Sequence, residues 1–167
     1  MAFINFQIQV PISSSWTHIE LLRSSVLNCL ATIFTDHEFC HSVGMITSEL
    51  LENAVKYGDW DSLERAEFKL HVAGDESQVE VTVSNPVREG GEEVESLFQT
   101  VDFIRGHESA EVAYRNRLRD VAEESPAATG VSRLGLTRVA YEGHCQVQAR
   151  IDERSILHVT ATSNSLR

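Results

Sequence analysis

Apolar residues recur at three- and four-residue steps through Phe39, Val43, Ile46, Leu50, Ala54 and Tyr57, and no other stretch constrains the fold as much. The spacing is that of an amphipathic helix whose apolar stripe must be covered by a core. At about 100° per residue, Glu49 and Asn53 project together from one edge of that stripe, one turn apart. A carboxylate and a carboxamide therefore meet where helix joins core, at the rim of any neighbouring pocket. Glu52 projects elsewhere and is placed to pair with Lys56 at i,i+4. Asp36 is an N-cap for this helix and Gly58 its C-terminal stop.

The flanking sequence supplies the other layer. Residues 3–10 alternate apolar and polar until Pro11, which marks a strand at a sheet edge. Ser13, Ser14 and Ser15 offer N-caps to a helix through Trp16, Ile19, Leu22, Val26, Leu30 and Ile33. Residues 68–72 and 79–83 read as strands joined by a hairpin turn at Gly74–Ser77. An acidic segment from about 88 to 130 carries helical patches near 94–103 and 110–121. A short helix from Arg133 to Tyr141 and two strands, 145–151 and 156–162, complete the order. This order, β-α-α-β-β-(helical insert)-α-β-β, predicts a two-layer α/β sandwich: one mixed, mostly antiparallel sheet with helices on one face.

A chain of 167 residues is read as one domain, 1–167, large enough to bury a core without staples. Its net charge of -11 argues against nucleic-acid binding, which requires clustered Lys and Arg. Cys29, Cys40 and Cys145 are odd in number and form no C-x-x-C pair, as expected of reduced thiols in a cytoplasmic protein. No run of eighteen apolar residues and no charged-then-apolar leader occurs, so no membrane association is expected.

The segment Glu49-x-x-x-Asn53-Ala54-x-Lys56-Tyr57-Gly58 resembles the N box of the GHKL ATPase superfamily, which includes gyrase, histidine kinases and mismatch-repair ATPases. In size and element order the chain is similar to the small branch of anti-sigma-factor serine kinases. The resemblance implies that Asn53 ligates Mg²⁺ bridging the phosphates of ATP, a hard cation suited to oxygen. It implies that Glu49 orients or deprotonates the attacking hydroxyl, and it places Lys56 among the nucleotide-binding residues. Where the family has Asp-x-Gly-x-Gly, this chain has Ser84-Asn85-Pro86, so adenine recognition falls to Asn85, whose carbonyl still accepts. The second glycine box corresponds to Gly130-Val131-Ser132-Arg133-Leu134-Gly135-Leu136, with Gly130, Arg133, Gly135 and Leu136 shaping the phosphate loop. The acidic insert lies where the family carries its ATP lid. The implied partner is a sigma factor or a small anti-sigma antagonist with a phosphorylatable Ser, and the implied assembly a homodimer.

Two other readings stand beside this one. Loss of Asp-x-Gly-x-Gly is also what a catalytically inactive pseudo-kinase, kept as a protein-interaction module, would show. His37-Glu38-Phe39-Cys40-His41 fits H-E-x-x-H, a zinc hydrolase signature that Gly44 extends. Its third ligand position is Thr47, however, and the two histidines fall on the face opposite Phe39, Val43 and Ile46. No Ser-His-Asp assembly is inferable from the spacing.

Overall fold

The computed structural model describes residues 3–11, 19–60, 67–88, 90–123 and 134–165. Among these the elements follow as β1 (Phe3–Pro11), α1 (Ile19–Leu30), α2 (His37–Tyr57), β2 (Glu67–Asp75), β3 (Gln78–Pro86), α3 (Glu92–Arg105), α4 (Ala110–Glu123), α5 (Gly135–Glu142), β4 (Cys145–Ile151) and β5 (Ile156–Asn164). The strands form one sheet in the order β1-β2-β3-β5-β4, with every neighbouring pair antiparallel. The expected α/β sandwich is present, and its sheet is antiparallel throughout rather than mixed. β1 lies at an edge, as Pro11 requires. The proposed serine caps, and Trp16, lie outside the described residues. No helix among the described residues is long and apolar enough to cross a membrane.

Alternation along the strands decides which face is covered. Val79, Val81 and Val83 of β3, Leu70 and Val72 of β2, and Val159 and Ala161 of β5 are all buried. They share one core with Val43, Ile46, Leu50 and Leu51 of α2. The intervening positions, such as Glu80, Thr82, Gln146, Gln148 and Thr160, form the polar outer face.

α2 begins and ends as its sequence demands, with one difference at the stop. The Asp36 carboxylate accepts from the Phe39 N–H at 3.0 Å, and the Gly58 N–H donates to the Ala54 carbonyl at 2.9 Å. Gly58 sits at φ -70°, so left-handed freedom is not why it is glycine. The Trp60 indole covers it, within 2.3 Å of where a Cβ would stand, while its Nε1–H donates to the Val55 carbonyl at 3.0 Å. Gly44 likewise makes room: Leu27 of α1 lies 2.9 Å from its missing Cβ. Its place in the H-E-x-x-H pattern thus has a packing cause.

Across the outer face, β3 and β5 are pinned by a chain no sequence spacing announced. Asp152 Oδ1 accepts from the N–H groups of Arg154 (2.9 Å) and Ile156 (3.1 Å), and Oδ2 lies 3.0 Å from His158 Nε2. An ionised carboxylate only accepts, so Nε2 carries a proton, and Nδ1 on the other side of the ring lies 2.8 Å from the Ser84 hydroxyl. Ser84 is 5% exposed, its hydroxyl engaged with the ring rather than open to a substrate. The His158 hydrogen bond, with lesser help from the two N–H groups, holds Asp152 at about 2, below its ordinary 3.8. A carboxyl lowered on folding contributes stability that is complete above its unfolded value and lost as pH falls through its folded one. Asp152→Asn is therefore expected to lower the urea midpoint at neutral pH, with the gap to wild type closing between pH 3.8 and about 2. A gap constant down to the acid limit would assign the effect to packing instead.

Candidate functional site

The site is built where α2 meets the start of α5. Leu136, Val139 and Ala140 are buried and fix α5 in the core, and the Ser163 hydroxyl donates to the Gly143 carbonyl at 3.0 Å just beyond its end. This docking brings Gly135, the first residue of α5, against α2. A Cβ on Gly135 would stand 3.0 Å from Glu49 Oε2, and 3.9 and 4.0 Å from Asn53 Oδ1 and Nδ2. Glu49, Asn53 and Gly135, singled out separately in the sequence, are thus neighbours in the fold. α5 opens at Leu134, which makes no side-chain cap, so among the described residues its first N–H groups are not met by a capping side chain.

Asn53 is half-buried, and its Nδ2 is completely shielded with no hydrogen-bond partner among the described residues. A buried amide left unmatched costs about 1–3 kcal/mol, so an acceptor placed against this nitrogen, from water or a ligand, would be favoured. The two ends of a carboxamide are nearly isosteric, and half a turn exchanges donor for acceptor.

Glu49 is held differently. Its Oε1 accepts from Arg138 Nη1 at 3.2 Å, and its side chain is only 19% exposed. Burial lifts its carboxyl above the usual carboxylate range. The charge of Glu52 pushes the same way, Arg138 opposes, and Glu142 adds a smaller upward push. A half-buried carboxylate raised in this way, yet ion-paired, is a stronger proton acceptor than an exposed one. Nothing in the spacing points to Arg138: it is 89 positions from Glu49, and only the docking of α5 on α2 makes them neighbours.

The other sequence-predicted residues within the described part of the chain have neighbours of their own. Asn85 is on the core face at the end of β3, opposite Leu157, and 1% exposed. Its Nδ2 donates to the Pro86 carbonyl at 3.2 Å, and that carbonyl also accepts from the Asp59 N–H at 2.8 Å, tying the end of β3 to the segment after α2. Lys56 is exposed, its Nζ 5.0 Å from the Tyr57 ring centroid. It lies over that ring instead of pairing with Glu52. Leu136 is 5% exposed and anchors α5 in the core. Gly130 and Arg133 lie outside the described residues. His37 and His41 are exposed, and among the described residues no group of three or more His, Cys, Asp or Glu is placed to hold a metal.

Two cavities lie away from this cluster. One, of about 270 Å³, is lined by residues including Asp36, Ser42, Glu142 and His144, and the other, of about 400 Å³, lies between the α3–α4 turn and β4.

The fold has a solved counterpart. A chain in the crystal structure of the SiaB–SiaC complex from Pseudomonas aeruginosa matches it with a TM-score of 0.66. The match covers 94% of this chain and 88% of that one, at 20% sequence identity. At that identity the likeness is one of fold. No protein-family model and no curated protein sequence matches the chain.

Proposed function

We propose that the chain is a regulatory protein of the GHKL type that binds a partner protein and phosphorylates it on Ser or Thr from Mg·ATP. The observation that carries this reading is the shielded Nδ2 of Asn53, without a hydrogen-bond partner among the described residues, beside Glu49 and Gly135 at the start of α5. These groups fit the phosphate end of a nucleotide: a carboxamide for the cation, helix N–H groups for anionic oxygens, and a glycine where a Cβ would crowd the carboxylate. Mg·ATP, when bound, would supply the transferable phosphoryl group and neutralise its charge. Asn53 then orients the cation end, and Glu49 takes the proton of the acceptor hydroxyl through its carboxylate. Partner binding is supported by the fold's occurrence in a protein–protein complex, SiaB with SiaC, whose partner is that protein's own. A sigma factor or an anti-sigma antagonist is the partner class the motif resemblance suggests.

Calorimetric titration with ATP, with and without Mg²⁺, tests the reading. Wild-type protein is expected to bind in a Mg²⁺-dependent manner, and Asn53→Ala to lose that dependence altogether. Equal binding by both proteins would remove Asn53 from the site. A second reading, a binding module without catalysis, is favoured by one observation. Asn85 replaces the carboxylate expected for adenine, and its amide is already bonded to Pro86. Undetectable binding at millimolar ATP would select it.

A further inference from the structure

We propose that Arg138 is the positioning residue for Glu49, clamping its carboxylate in one orientation at the edge of α2. This role rests on the nucleotide reading above. A glutamate has three side-chain torsions, and at a helix edge nothing in its own sequence neighbourhood selects one rotamer. Here one contact does so from α5: Arg138 Nη1 meets Oε1 at 3.2 Å, and because Gly135 has no Cβ the other oxygen, Oε2, has room 3.0 Å from where that atom would stand. The guanidinium is itself fixed, because Nε donates to Glu142 Oε2 at 2.8 Å one turn further along α5. One cation is thus held between two carboxylates, and the planar fork of arginine serves both at once.

The arrangement is poorly explained as a tie between the helices. In the pair that joins the helices Arg138 is 44% and Glu49 19% exposed, and a pair with one member this open to water is worth about 0–1 kcal/mol. α5 is docked without them, through Leu136, Val139 and Ala140 in the core. The consequence of removing Arg138 falls on Glu49. That half-buried carboxylate would face the charges of Glu52 and Glu142 with no cation opposing them.

The experiment has one arm without nucleotide and one with it. In urea unfolding of the unliganded chain, Arg138→Met, Glu49→Ala and the double variant form a cycle. The two midpoint shifts are expected to be non-additive, the double variant being no worse than the more damaged single one. In the second arm, Arg138→Met is expected to keep its Mg·ATP affinity by calorimetry within about twofold of wild type, and to form ADP about tenfold more slowly or worse. Arg138→Lys is expected to recover part of that rate, through its charge but without the fork. An additive cycle, ADP formation unchanged or faster in Arg138→Met, affinity falling in step with rate, or no rescue by lysine overturns the positioning role. Wild-type protein that does not bind Mg·ATP, with a non-additive cycle, instead overturns the nucleotide reading and leaves the pair a structural contact.

Discussion

Glu49→Gln is expected to leave Mg·ATP affinity nearly unchanged while slowing phosphoryl transfer by about 10²–10⁴-fold, the usual contribution of a general base. Glutamine keeps the length and shape of the side chain, and its carbonyl still accepts from Arg138 Nη1, so the helix edge is not disturbed. What it loses is the capacity to take a proton. Asn53, one turn along α2, is untouched, and binding and turnover should therefore separate cleanly between the two positions. ADP formation and transfer of labelled phosphate to protein, measured at saturating Mg·ATP, report the difference. A Glu49→Gln variant as fast as wild type would mean that this carboxylate takes no part in chemistry.

The largest loss of stability is expected at Phe68. It is fully buried in β2, opposite Val10 of β1, and belongs to the central core. Truncation to alanine removes the ring's transfer energy and leaves a cavity between sheet and helices, at a cost of about 3–5 kcal/mol. Against a total of about 5–15 kcal/mol for a typical domain, that is a large share. The melting temperature should fall by roughly 10 °C or more in a chain of this size. Leu21 provides the contrast: it is 65% exposed on α1, and its alanine variant should stay within about 0.5 kcal/mol of wild type. Comparable shifts at the two positions, read from circular dichroism melts, would contradict this placement of the core.

The order of elements is legible in the sequence because each carries its own period. The 3.6-residue recurrence of α2 and the alternation of β1, β2 and β3 are local properties that pairing then extends. β2 runs on to Asp75 because β1 continues beside it to Phe3, and β3 to Pro86 because β5 continues beside it to Ile156. Half of the candidate site is equally local: Glu49 and Asn53 share a helix edge, and Gly135 opens a helix. What is not legible depends on docking across long separations. Arg138 meets Glu49 only because α5 lies against α2, and Ser84 meets His158 only through the register of β3 with β5. Asn85 is a different case. Its residue type suits an acceptor role, but the strand's alternation turns it towards the core, where its amide meets the adjacent Pro86 carbonyl. Lys56 departs from its expected pairing with Glu52 for a simpler reason. An exposed lysine has several partners of similar value, and here the aromatic ring next in sequence is the one it meets.

β3 and β5 are hydrogen-bonded neighbours, yet Thr82 and Thr160, which face each other across them, are 78 positions apart. The intervening chain carries α3 and α4 before it returns as α5 and β4. Closing a flexible loop becomes costlier only with the logarithm of its length, by about 0.6 kcal/mol per doubling. Growth or shrinkage of the α3–α4 region would therefore change the closure of the sheet very little, provided α5 still docks on α2. Chains of this architecture can diverge in that region, in length and in surface, while the cluster of Glu49, Asn53 and Arg138 stays in place.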